Sequence, residues 1–272
     1  MLTGHTIFTQ LMELVPMYRF RQLVESYQAD KRVRTLSAWS QFQVLVFAQL
    51  TGRASLRAIE IGLASYGRGL YHMGFRHPVA RSTLAEANER RDYHLWQDLC
   101  YELIARTRPL YAGDRVLPDL EGSLYALDCT VVDLCLKLFA WAQHRKHKSA
   151  VRIHTLLDLA GSIPTFLEVT PGHQHEVAIL DQIALEPGAY LVMDKGYTDF
   201  TRLYRLSLVP VYFVIRAKRN LAYKRGVGRP VDKTTGLRSD GVIRLSGPKT
   251  AGQYPQPWRR VHYWDPDTGK DL

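Results

Sequence analysis

Between residues 121 and 216 the apolar residues fall into short runs, and the order of these runs restricts the fold more than any other feature of the chain. Residues 124–127 read as a strand running into Asp128. Residues 151–159 and 163–170 are apolar, β-branched runs separated by Ala160-Gly161-Ser162, which is a hairpin signal. Residues 176–185 predict a helix with Val177, Ile179, Leu180 and Ile183 on its apolar side. A short buried strand follows at 190–193, then a helix at 201–208 and a last strand at 211–215. The expected order β-β-β-α-β-α-β describes an α/β mixed sheet, antiparallel at its start and crossover-connected in its second half. Its first and fourth strands belong side by side at the centre.

The flanks differ in character. Residues 1–120 read as a helical domain suited to DNA binding or dimerisation, with Ser37 and Ser82 as N-caps of helices starting at Ala38 and Thr83. Residues 217–272 are broken by glycine and proline into short β-like runs, such as 242–245 and 260–264, and read as a β-rich insertion. Its last turn, Asp265-Pro266-Asp267-Thr268-Gly269, is followed by only three residues, so the expectation is a hairpin without a returning strand and an incomplete domain. No apolar stretch approaches the ~18 residues of a membrane span, and the N-terminus lacks the pattern of a secretory signal. Three cysteines, Cys100, Cys129 and Cys135, form no C-x-x-C pair, which argues against a disulfide scaffold or a cysteine zinc site and for the cytoplasm.

Charge is distributed unevenly. The formal net charge is +10, and the segment from Arg202 onward holds 15 of the 36 basic residues but only 5 of the 26 acidic ones. A concentrated positive field favours polyanions, DNA first among them, although a merely solvated basic face has the same composition. The cluster Arg216, Lys218, Arg219, Lys224, Arg225 and Arg229, interleaved with Tyr223, is the best candidate for DNA phosphates. Arg145, Lys146, His147 and Lys148 form a second basic turn, phosphate-binding or simply solvated.

Asp128 and Asp194 each end an apolar strand, in YALDCT and YLVMDKGYTDF. On neighbouring strands the two carboxylates would meet at the sheet end and repel unless a divalent cation lay between them, and hard oxygen ligands suit Mg²⁺ or Mn²⁺. Such ions serve in-line phosphoryl transfer. The simpler alternative is capping, with Asp194 accepting from the Gly196 or Tyr197 amides. Lys195 and Tyr197 are candidates for a scissile-strand phosphate. His173 and His175, in PGHQHE, either contact DNA, orient a carboxylate or hold a metal, while Asp133 reads as structural.

The stretch DCTVVDLCLKLFAWAQHRKHKSAVRIHTLLDLAGSIP resembles the first-aspartate region of the IS-four family of insertion-sequence transposases. VMDKGYTDFTRLY, with Asp194, Gly196, Tyr197 and Phe200, is similar to that family's second-aspartate region, and FAQLTGRASLRAIEIGL to its N-terminal domain. The segment from YFVIRAKRN onward resembles its β-strand insertion. The resemblance implies a ribonuclease-H-like core, an Asp-Asp-Glu site, two Mg²⁺ ions and cut-and-paste movement of DNA. Terminal inverted repeats and target DNA would be the partners, paired by a homodimer. One element departs from the family: no glutamate occurs after Glu186, so the late-helix Tyr-x-x-Arg-x-x-x-Glu pattern is missing. Asp265 and Asp267 lie in a turn and make poor substitutes. The expectation is a truncated transposase, either retaining strand cleavage and transfer or acting only as a DNA-binding protein or repressor.

Overall fold

The computed structural model describes residues 6–111, 113, 120–134, 143–145 and 148–272. They form two compact units, 1–109 and 110–272. The sequence placed boundaries near 120 and 216.

The first unit is helical: α1 (Ile7–Glu13), α2 (Met17–Ser26), α3 (Ala38–Leu50), α4 (Leu56–Ser65), α5 (Gly69–His72), α6 (Arg81–Arg90) and α7 (His94–Thr107). Helix α3 buries Ala38, Gln41, Gln43, Val44, Phe47 and Ala48, on several sides of its axis, and is the centre of the unit. It begins where the sequence indicates, with the Ser37 hydroxyl accepting from the Ser40 amide at 3.1 Å. The Ala38 amide is taken by Asp30 Oδ1 at 2.7 Å. Such capping is worth about 1 kcal/mol. Ser82 is not a cap. Helix α6 starts two residues earlier, after Ala80, where Glu60 on α4 reaches across and accepts from the Arg81 amide at 2.9 Å. A buried polar cluster ties α3 to α6 and its exit: Gln41 donates to Asn88 at 2.5 Å, and Arg91 donates to Gln41 at 2.7 Å.

The second unit is built on a mixed sheet. Its strands are β1 (Leu124–Leu134), β2 (Gln143–Arg145), β3 (Lys148–Asp158), β4 (Ile163–Pro171), β5 (Tyr190–Met193) and β6 (Tyr212–Ile215). The strand order is β4-β3-β1-β5-β6, with the short β2 sharing the β4 edge of β3. β3 runs antiparallel to both of its neighbours, β1 and β4, whereas β5 and β6 run parallel to β1. The first and fourth predicted strands do lie together at the centre. Three details differ from expectation. β1 does not stop at Asp128 but continues to Leu134. The segment after β4 is a six-residue 3-10 helix, Glu176–Asp181, in which the consecutive Ile179 and Leu180 are both buried. β2 was not foreseen.

Helix α8 (Phe200–Leu208), capped by Asp199 accepting from the Arg202 amide, returns the chain from β5 to β6. A second sheet, β7 (Tyr223–Arg229), β8 (Leu237–Leu245), β9 (Trp258–Asp265) and β10 (Lys270–Asp271), follows in antiparallel order, with α9 (Thr250–Gln253) between β8 and β9. The last turn therefore does have a returning strand, though a short one, since Lys270 and Asp271 pair with Asp265 and Trp264. The two sheets share one core. Tyr125, Leu127, Leu156, Leu191, Met193 and Leu203 pack in the same cluster as Leu245, Tyr254 and Trp258. Burying a leucine such as Leu191 or Leu203 contributes ~1.5–3 kcal/mol, which anchors the β-rich segment to the strands that carry the aspartates.

Candidate active site

The β1–β5 register ends at Leu127↔Met193, both buried. Asp128 and Asp194 are the next residues on each chain, at neighbouring positions of strands that lie ~4.8 Å apart. Alternation explains their exposure. Tyr125, Leu127, Leu191 and Met193 face the core, so the residue following each pair turns to solvent, and both aspartates are exposed. Asp128 lies opposite Thr155 within the β1–β3 ladder, so it projects from the face of a paired strand and not from a strand terminus.

The capping alternative for Asp194 is not what is found. Its backbone carbonyl accepts from the Tyr197 amide at 3.1 Å, while its carboxylate makes no capping bond to the 3-10 turn Lys195–Tyr197. Among the described residues neither Asp128 nor Asp194 has a hydrogen bond or an ion pair through its carboxylate. Exposed carboxylates at neighbouring strand positions are of the type that suits a hard divalent cation. Among the described residues, however, no three His, Cys, Asp or Glu side chains lie close enough together to hold a metal.

A third acid stands at the same end of the sheet, and no sequence motif announced it. Glu176, first residue of the 3-10 helix, forms an ion pair with Arg152 of β3, whose Nε also donates to the Gly172 carbonyl at 3.1 Å. A β-carbon at Gly196 would lie 2.7 Å from Glu176 Oε2 and 3.9 Å from Asp194 Oδ2. Glu176 therefore rests against the turn that follows Asp194. Beneath these groups Tyr197 is 1% exposed, and its hydroxyl has no partner among the described residues. Burial first, then the nearby Cys129, Glu176 and Asp128, push the phenol well above its ordinary range. Its ring belongs to the core, contrary to the expectation that it meets DNA. Burial likewise raises the Cys129 thiol. His154, paired in register with Cys129, is buried; its Nε2 lies 3.0 Å from Thr170 Oγ1, and burial lowers its pKa.

The other candidates fall in several places. Lys195 is exposed beside Asp194. His173 and His175 are exposed on the connection from β4 to the Glu176 helix. Lys146 and His147 lie outside the described residues, and Arg145 and Lys148 are described only as a backbone pair between β2 and β3. The side chain of Asp133 is also outside them. Arg216, Lys218, Arg219, Lys224, Arg225 and Arg229 are all exposed, from the end of β6 through β7. On the β7–β8 ladder Lys224 stands directly opposite Arg244, and Val242 of the same face opposite Arg259. Asp240 takes both ends of Arg259, at 3.0 and 2.8 Å, while Arg244 donates to the Pro255 carbonyl at 3.4 Å, and among the described residues no acidic side chain pairs with Lys224 or Arg244.

Comparison with known proteins places this arrangement. Residues 3–76 match a domain family of unknown function, DUF4372. The chain is also 27% identical over 185 residues to "Putative transposase y4zB" of Sinorhizobium fredii (strain NBRC 101917 / NGR234), covering 65% of this chain and 49% of that protein. The chain thus spans about half the length of the curated relative it matches. Residues 119–267, which include both aspartates, the first sheet and the second sheet through β9 and amount to more than half of the chain, match the transposase DDE domain, and the chain belongs to that family.

Proposed function

We propose that this chain carries two of the catalytic acids of an IS-four-like DNA transposase, Asp128 and Asp194, on a ribonuclease-H-like sheet. The observation that carries the reading is the parallel β1–β5 register, whose last pair, Leu127 and Met193, is followed on each side by an exposed aspartate. The order β4-β3-β1-β5-β6, with three antiparallel strands and two parallel to β1, supports the ribonuclease-H-like assignment.

Asp128 and Asp194 would hold Mg²⁺ or Mn²⁺. The ion would supply charge neutralisation at a phosphate undergoing in-line displacement. The protein's own contribution is placement. Paired strands on a buried core hold the carboxylates, and Lys195 stands beside Asp194 as a cation for the cleaved strand. The exposed Lys224–Arg244 pair supports double-stranded DNA as the partner. Like charges opposite each other on a sheet cost stability, and a phosphate backbone offsets that cost. Arg216, Lys218, Arg219 and Arg225 extend the same surface, and Arg145, Lys146 and Lys148 belong to a second phosphate-contacting turn. His173 and His175 flank the acid site. Terminal inverted repeats, target DNA and a homodimer that pairs the ends complete the reading, in a bacterial cytoplasm.

A second reading is favoured by one observation: no three-acid cluster occurs among the described residues. On that reading the chain binds DNA without cutting it. A Mg²⁺-dependent cleavage assay on DNA bearing the element's ends, run beside a binding assay, separates the two. Nicking abolished by Asp128→Asn and by Asp194→Asn supports the catalytic reading, and binding without nicking supports the second. Nicking that survives both substitutions overturns the assignment of the acids.

A further inference from the structure

Resting on the reading of Asp194 as a metal-holding acid, we propose that Glu176 is a positioning residue for that aspartate, clamped by Arg152 and seated against Gly196. The three parts come from distant segments. Arg152 lies on β3, Glu176 opens the 3-10 helix between β4 and β5, and Gly196 lies two residues beyond Asp194.

Glu176 uses its two oxygens differently. Oε1 takes the ion pair with Arg152, a side chain only 15% exposed and further held by the Gly172 carbonyl. Oε2 is turned to the backbone of the Asp194-Lys195-Gly196 turn. Oε2 and Asp194 Oδ2 both lie within 4 Å of the point a β-carbon at residue 196 would occupy. Contact at 2.7 Å with the end of a glutamate is ordinarily relieved by rotating the glutamate. Here that escape is opposed, because the carboxylate is tied to a guanidinium that is itself held by the Gly172 carbonyl. Glycine at 196 is therefore required by room and not by its φ angle. Arg152 supplies the compensating charge to Glu176.

The floor of the turn is fixed as well. Tyr197, directly after Gly196, is fully buried, and its unpartnered hydroxyl lies in the field of Glu176 and Asp128. With the tyrosine packed below and the clamped glutamate above, the turn has one position, and Asp194 inherits it. The lack of a three-ligand cluster among the described residues fits a glutamate that acts through the placement of Asp194 and not as a ligand.

Mn²⁺ titration of the full chain, followed by the electron paramagnetic resonance signal of free Mn²⁺, tests this without relying on catalysis. Asp194→Asn should remove the binding. Glu176→Gln and Gly196→Ala should each weaken it about 10-fold or more, as loss of groups behind a ligand does. Gly196→Ala combined with Glu176→Ala should bind no more weakly than Glu176→Ala alone, because the methyl then enters vacated space. Thermal unfolding of each variant accompanies the titration. If Asp194→Asn abolishes binding while Glu176→Gln and Gly196→Ala bind as the parent does, the positioning role is overturned and the site reading stands. If Glu176→Gln loses affinity only in step with loss of folded protein, the pair is merely structural and the role is again overturned. A parent chain that binds no Mn²⁺, or an Asp194→Asn chain that binds normally, overturns the reading of the site itself.

Discussion

The adjacency of Asp128 and Asp194 depends on how β1 enters the sheet beside β5, and Gly122 controls that entry. Gly122 has φ +106°, a conformation that L side chains rarely adopt, and a β-carbon there would lie 2.4 Å from the Gly188 carbonyl oxygen and 3.2 Å from its carbon. The obstacle is backbone and cannot swing aside. Gly188 donates to the Pro210 carbonyl at 2.6 Å, and two residues later the Tyr190 amide donates to the Ser123 carbonyl at 2.8 Å. Gly122→Ala therefore combines backbone strain of ~1–3 kcal/mol with a steric shift of similar size, about 2–6 kcal/mol together. Gly188→Ala is the internal control: φ is +86°, but nothing lies within 4 Å of the added carbon, so only the strain of ~1–2 kcal/mol applies. At roughly 2–4 °C per kcal/mol for a unit of this size, Gly122→Ala should lower the thermal midpoint by several degrees more than Gly188→Ala does. Hydrogen exchange should localise the loss to the amides of β1 and β5. Equal midpoints for the two variants would refute the argument, since they differ structurally only in the clash.

Three further outcomes follow from groups already described. Arg91 is 4% exposed, pairs with Asp30 at 3.0 Å, and donates to the Ala29 and Leu36 carbonyls and to Gln41, so Arg91→Ala should cost the helical unit ~3–5 kcal/mol, read by denaturant unfolding at 222 nm; a change below ~1 kcal/mol would show that the network is incidental. His154 is buried with its pKa held below the ordinary 6.5, so the unfolded chain binds a proton that the folded chain refuses. The stability it confers is full above pH 6.5 and declines as pH falls below that value, by at most about 1.4 kcal/mol per unit, and His154→Gln should flatten that slope in urea midpoints taken between pH 7.5 and 5. If Lys224 and Arg244 meet phosphates, Lys224→Ala should lower the slope of log affinity against log salt by about 0.9 for DNA of any sequence. An unchanged slope removes the β7–β8 face from the interface.

How much of this was legible in the sequence depended on whether the governing contacts were local. The strand 190–193 is a short apolar run of four residues before an aspartate, and its predicted and observed limits agree. The continuation of β1 past Asp128 was missed because the run turns polar there. Yet Asp128 and Thr130 alternate with Cys129 and Val131, a period of two that half-buried strands share. The helix expected at 176–185 is a 3-10 turn, since Pro187 lies close behind and no side chain caps its start at His175. Ser82 resembles a cap because its hydroxyl precedes a helical run, whereas the helix begins at Arg81, whose amide is taken by Glu60, 21 residues earlier.

Glu176 shows the same limit at the site. In sequence it follows two histidines, His173 and His175, and stands as the first residue of an expected helix over 176–185. Its role arises from Arg152, 24 residues before it, and from Gly196, 20 residues after it, brought together only when β3, the connection and the β5 turn are assembled. The glycine was the available signal. Gly196 sits in a short turn without a positive φ, so its lack of a side chain needs a steric reason, and that reason must be a group pressed against it. The two aspartates could be found by where their strands end. The residue that holds one of them in place could be found only by asking what a missing methyl group leaves room for.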